Sequence, residues 1–132
     1  MSLIAKYRTL GLKLTPQRIA ILDYLEGNTC HPSAEDIYGS VSKKFPTLSR
    51  ATVYATLGSL KVLGKVLELT IDPDKKRYDM ETAKHHHFMC TLCKRIIDIP
   101  ATNVFHFPKE IKRNFSIMES QVEYYGHCPE CK

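Results

Sequence analysis

Two sets of side chains in this 132-residue chain have the types and spacing to do metal chemistry. The first is Cys90-x2-Cys93 and Cys128-x2-Cys131, two cysteine pairs separated by 34 residues. Each pair can grip one edge of a metal, and two pairs complete a tetrahedral thiolate site suited to zinc. Four thiolates close the coordination sphere, so such an ion is structural and cannot activate a water. The total of five cysteines is odd, which argues against a disulfide framework.

The second set has nitrogen and oxygen donors. His85 and His87 stand at i, i+2 just before Cys90, and on a strand that spacing puts both imidazoles on one face. His86 then points the other way. Asp98 follows eight residues after Cys90, Asp79 precedes the segment, and His31 lies in a loop far upstream. Such donors suit Fe(II), Mn(II) or zinc rather than Cu(I). By spacing alone, residues 85–87 read equally as an exposed histidine cluster, and His31 as a solvated loop residue. Cys30 reads as a partly buried free thiol. His106 and His127 read as surface residues.

Helices and strands must position these groups. A short helix is expected from Leu3 to Leu10. Thr15-Pro16 is an N-cap followed by proline at the first helical position, and Ile19, Leu22 and Leu25 follow at helical spacing. Ser33 and Asp36 stand in a capping-box relation before Ile37, Val41 and Phe45. A third core helix begins after Ser49, with Val53, Leu57 and Leu60 as its stripe and Gly64 as its stop. The period then changes. Val66 to Ile71 alternates, with Leu67, Leu69 and Ile71 on one face, and Arg77 to Met80 can return after the charged turn 72–76. Three helices followed by a hairpin is the order of a winged helix-turn-helix. Farther on, Ile96–Ile99 and Ile117–Tyr125 read as strands, with a poor helix from about Pro108 to Asn114.

The sequence therefore predicts an α+β chain: a winged helix-turn-helix domain over 1–80, a linker over 81–84, and a small zinc-stabilised α/β dimerisation domain over 85–132. A C-terminal segment this short rarely buries enough core to fold unaided, which is a reason for it to carry zinc. The net charge is +5, and residues 1–80 hold 12 Lys and Arg against 8 Asp and Glu, the remainder 7 against 6. The basic excess sits in the part expected near phosphates. Arg50, Thr52 and Tyr54 at the start of the third core helix are the candidates for base edges, and Ser49 beside them is a further DNA-binding candidate. Lys13, Arg18, Lys75, Lys76 and Arg77 are the candidates for phosphates or the minor groove. No stretch is apolar enough to span a membrane, and Lys6, Arg8 and Lys13 interrupt the first 14 residues, so a cytoplasmic protein is expected. A small metalloenzyme using the His/Asp set is a competing class, but no nucleophile or general base accompanies that set at motif spacing. A zinc-ribbon interaction module is another, against which the helix order argues.

The pieces together resemble the ferric uptake regulator (Fur) family. The resemblance runs through Leu14-Thr-Pro-Gln-Arg18, His31-Pro-Ser-Ala-Glu-Asp-Ile-Tyr38 and Ser49-Arg-Ala-Thr-Val-Tyr-Ala-Thr-Leu57. It continues through Arg77-Tyr-Asp79, His85-His-His-Phe-Met-Cys-Thr-Leu-Cys93, Ile97-Asp98 and Tyr125-Gly-His-Cys128. It implies a metal-dependent homodimeric repressor that binds a palindromic operator in double-stranded DNA. Within the family the chain is most similar to the peroxide-sensing branch, PerR, because Asp98 stands where iron-sensing members usually carry Glu. That resemblance implies structural Zn(II) at the four cysteines and a regulatory Fe(II) or Mn(II) at His31, Asp79, His85, His87 and Asp98. It names His31 and His85 as the imidazoles oxidised by peroxide. Iron-sensing and zinc-sensing repressors are the alternatives within the family. An accessory metal site known in other members is expected to be absent, because Lys84 and Ser120 occupy its aligned positions.

Overall fold

The computed structural model describes residues 2–102 and 107–132. His106 therefore lies outside the described residues. The chain divides into two compact units, Met1–Thr82 and Ala83–Lys132.

The first unit holds four helices, α1 (Leu3–Thr9), α2 (Pro16–Leu25), α3 (Ala34–Val41) and α4 (Arg50–Val62), and a hairpin of β1 (Leu67–Leu69) and β2 (Arg77–Asp79). The helix starts follow from their caps. The Thr15 hydroxyl accepts the Arg18 N–H, and the Ser49 hydroxyl accepts the Thr52 N–H. Ser33 and Asp36 form a full capping box, each side chain accepting the other's backbone N–H. Gly64 ends α4 with φ +69°, and the Lys65 N–H reaches back to the Leu60 carbonyl. The apolar stripes meet in one core of Ile21, Leu22, Leu25, Ile37, Val53, Leu57 and Leu60, with Tyr7 from α1 and Tyr78 from β2. Each such side chain contributes on the order of 1.5–3 kcal/mol by leaving water.

Three expectations change in detail. Helix α3 stops at Val41, four residues before Phe45. In the hairpin Val66 and Ile71, which flank the three paired residues, are buried, while Leu67 and Leu69 are half-buried. The third is Arg77, which the fold buries.

The second unit is a three-stranded sheet in the order β4-β3-β5, built from β3 (His85–Cys90), β4 (Ile96–Pro100) and β5 (Glu123–Gly126). Strand β4 runs antiparallel to β3 and β5 runs parallel to it. A short helix, α5 (Lys109–Asn114), has no side-chain cap. The strand expected over Ile117–Tyr125 is shorter than its sequence pattern, since only Glu123–Gly126 pairs with β3. Residues 117–119 are exposed. No helix among the described residues is long and apolar enough to cross a membrane.

Candidate metal centres and nucleic-acid interface

The sheet brings the four cysteines together. Cys90 ends β3, Cys93 follows in a tight turn, and Cys128 and Cys131 follow β5, which lies beside β3. All four sulfurs can lie within 4.8 Å of one another. The Cys93 and Cys128 sulfurs are 3.7 Å apart. Bonds of about 2.3 Å in a tetrahedral zinc site place sulfurs about 3.8 Å apart, whereas a disulfide needs about 2.05 Å. The residues thus fit a four-thiolate zinc-like site. Backbone N–H groups of Cys93, Cys128 and Leu92 converge on Cys90 and push its thiol down to about 6, favouring the thiolate a metal needs. The neighbouring Cys128 thiol and burial push Cys131 up to about 12, so a metal entering here must displace a proton. The turn after Cys93 forces Lys94 to φ +64°, and its N–H donates to the Cys90 carbonyl.

The register of β3 and β4 builds a second cluster on the same sheet. His87 pairs directly with Asp98, and His85 lies two residues along on that face. Their Nε2 atoms stand 3.3 and 3.1 Å from one oxygen of Asp98. Ligands at right angles around an ion, each bonded at about 2.2 Å, are about 3.1 Å apart, so the donors fit one cation. The same spacing serves an ion pair with a protonated imidazole. His85 Nδ1 lies 2.7 Å from the Ala83 carbonyl. A carbonyl can only accept, so Nδ1 carries the proton and Nε2 is left facing Asp98. The two imidazoles are nearly buried, while the Asp98 side chain is 38% exposed and leaves an open side. His86 faces away, as its position predicts, and accepts the Val122 N–H through Nδ1. Lys84 and Ser120 hydrogen-bond to each other at 3.1 Å. His127 is exposed.

In the first unit His31 Nε2 lies 3.4 Å from Asp79 Oδ2, and both side chains are buried. Burial sets His31 apart from the solvated loop residue that its position suggested. Cys30, by contrast, is exposed rather than partly buried.

The candidate DNA-reading residues gather around the N-terminus of α4. Tyr54 is exposed and lines a cleft with Lys75, Lys76 and Glu35. Lys13 and Arg18 line a shallow groove with Gln17, Ala51 and Thr52. Ser49 and Thr52 bond to each other through their hydroxyls while Ser49 caps the helix. Arg50 is exposed but engaged: its Nε donates to Glu35 at 2.8 Å and its guanidinium stacks 4.3 Å above the Tyr38 ring. Lys76 and Lys61 share the carboxylate of Glu68. Arg77 corrects the sequence reading. It is 7% exposed, and its guanidinium binds Asp72 and the backbone of residues 30 and 31. A side chain so enclosed is not a phosphate contact. Sequence reasoning also missed Glu35 and Tyr38 as partners of Arg50, since 15 and 12 residues separate them from it and no local pattern links them.

The motif order, the four-thiolate cluster and the helix–hairpin unit can be set against known proteins. The family model for the ferric uptake regulator family matches residues 9–125. The chain belongs to this family. The peroxide-responsive repressor PerR of Staphylococcus epidermidis is 39% identical, the match covering 98% of this chain and 87% of that protein. The structure of the Campylobacter jejuni peroxide stress regulator is similar at TM-score 0.69 and 28% identity, covering 99% of this chain and 100% of that one. The structure described as GAS PerR-Zn-Zn is similar at TM-score 0.55 and 31% identity, covering 97% and 83%. Fur-family members are metal-responsive transcriptional regulators rather than enzymes, and this chain has their architecture, an N-terminal winged-helix domain followed by a dimerisation domain.

Proposed function

We propose that this chain is a metal-dependent, dimeric DNA-binding repressor that releases its operator when peroxide oxidises its own metal ligands. The cluster of His85, His87 and Asp98 carries the proposal, because it offers nitrogen and oxygen donors, no thiolate, and an open side at Asp98. These donors suit Fe(II) or Mn(II). By family resemblance His31 and Asp79 join the same ligand set. The 39% identity to a peroxide-responsive repressor supports the peroxide reading over iron sensing. The four cysteines hold a structural Zn(II).

An Fe(II) held by these residues would supply the reduction of hydrogen peroxide beside them, chemistry that Mn(II) would not supply. His31 and His85 are the imidazoles that take up oxygen as 2-oxo-histidine. The bond from His85 Nδ1 to the Ala83 carbonyl holds that ring in place during attack. An oxidised ring would be a poor ligand, so the residues would hold a cation less tightly. Any cation that binds the DNA-competent state more tightly must, by linkage, strengthen DNA binding, and its loss weakens that binding.

Two copies of α4 read the half-sites of a palindromic operator. Arg50, Thr52 and Tyr54 face base edges, with Ser49 ordering the helix start. Lys13, Arg18, Lys75 and Lys76 contact phosphates. Such a protein works in the cytoplasm, where its operator is.

The test loads the zinc-containing protein with Fe(II) or Mn(II), adds peroxide, and measures operator binding alongside peptide mass spectrometry. Loss of binding with oxygen added at His31 or His85, only with iron, is the expected result. An iron-loaded protein that keeps its operator and gains no oxygen refutes peroxide sensing and leaves iron sensing.

A further inference from the structure

His31 has an uncommon backbone. Its φ is +53°, a left-handed value that residues other than glycine seldom adopt. It also precedes Pro32, and residues before proline favour extended backbone. Such a conformation persists where its surroundings over-determine it.

The surroundings here come from β2. Arg77 Nε donates to the His31 carbonyl, and Nη2 donates to the Cys30 carbonyl at 3.3 Å. The next residue, Tyr78, donates its N–H to the Pro32 carbonyl at 2.9 Å. Three consecutive carbonyls, at 30, 31 and 32, are thus taken by two consecutive residues of one strand. The third face of the Arg77 fork is set by Asp72, whose Oδ2 lies 3.2 Å from Nη1 and whose side chain is 1% exposed. Asp72 is fixed in turn by the Asp74 N–H on its Oδ1. Alternation along a strand puts residues 77 and 79 on one face. Asp79 meets the His31 ring at Nε2, 3.4 Å away, while Arg77 holds the His31 main chain.

We propose that Arg77 is a positioning residue for His31: by holding the carbonyls of residues 30 and 31 it locks the left-handed backbone of His31 so that the imidazole is presented beside Asp79. The inference rests on the reading of His31 as a ligand of the regulatory cation. Arg77 touches no metal itself. Its planar fork suits the task, because one guanidinium spans two carbonyls and a carboxylate, which a lysine ammonium on a flexible stem does not reproduce. The same fork ties the ligand-bearing loop to Asp72, at the base of the turn that carries Lys75 and Lys76.

The experiment measures Mn(II) affinity of the full-length, zinc-containing chain in wild type, R77A, R77K, H31A and the R77A/H31A double variant. Thermal unfolding of each is followed by circular dichroism. R77A should weaken Mn(II) binding about tenfold or more, the effect typical of removing a group that orients a ligand, and H31A, which removes the ligand itself, at least as much. The double variant should bind no more weakly than H31A alone, since a positioning residue has nothing left to position. R77K should resemble R77A in affinity. Where R77A loses its cooperative melt, R77K against H31A/R77K decides the same question. R77A binding within twofold of wild type overturns the proposal. So does a double variant in which the two losses multiply, because a brace acting on the whole fold is indifferent to His31. If H31A alone binds as wild type, the ligand reading itself falls and the inference with it. If H31A weakens binding and R77A does not, only the role of Arg77 falls.

Discussion

Removing the metal from the four-cysteine site should unfold residues 83–132 while leaving residues 2–82 folded. The two units differ sharply in what they bury. The first has a cluster of fourteen buried apolar side chains. In the second, among the described residues, the buried apolar side chains are Met89 and Ile96 together with Cys90 and Cys128. Met89 and Ile96 contribute roughly 3–6 kcal/mol between them. A structural zinc supplies about 10–16 kcal/mol in small metal-folded peptides, roughly twice as much or more. A zinc at these cysteines would therefore stabilise this unit more than its buried side chains do, and Cys128→Ser, at a buried member of the quartet, should act like a chelator. The assay is limited proteolysis with mass spectrometry, read against zinc content. Metal-free protein should be cut throughout 83–132, and the fragment ending near residue 82 should persist. Continued protection of 83–132 after the zinc is gone would refute the argument. So would simultaneous loss of protection in both units.

Ser33→Ala removes one half of the α3 capping box and should destabilise the first unit by about 1 kcal/mol, measured by urea unfolding. Acid should destabilise that unit. Burial opposes ionisation of Asp72, but the Asp74 N–H and Arg77 outweigh it and hold the carboxyl below its usual range. The Lys76 and Lys61 ammoniums do the same for Glu68, and bonds from Ser33 for Asp36 against its burial. A depressed folded pKa means the stabilisation is complete above the ordinary carboxylate range, near about pH 4, and is lost as pH falls toward the folded values. The unfolding midpoint should thus be flat from pH 7 to about 5 and drop below about 4, and a flat profile to pH 3 would contradict the ion pairing. Asp98→Ala removes the oxygen both imidazoles face and should weaken Mn(II) binding at least about tenfold while zinc content is unchanged, as read by metal titration and elemental analysis.

What was legible in the sequence was local. Thr15-Pro16, Ser33 with Asp36, and Ser49 mark helix starts because a cap acts within three residues of itself. The two Cys-x2-Cys pairs announce a thiolate site because each half is preassembled by a turn. The i, i+2 spacing of His85 and His87 placed their rings on one face, and the sheet keeps them there. What the tertiary structure decided depends on groups distant along the chain. Cys30 is exposed and His31 buried although they are neighbours, and nothing in their types foretells it. A single strand is expected over Ile117–Tyr125, yet pairing begins only at Glu123, where β3 supplies a partner. Arg77 was one of three successive basic residues, Lys75, Lys76 and Arg77, and by charge alone all three suited phosphate. Two remain at the surface. The third is drawn inward because β2 is buried along its whole length and Asp72 neutralises its charge. Carbonyls 46 and 47 residues away then accept from two more of its donors. Residue type sets what a side chain can bind, and only the fold sets which partners reach it.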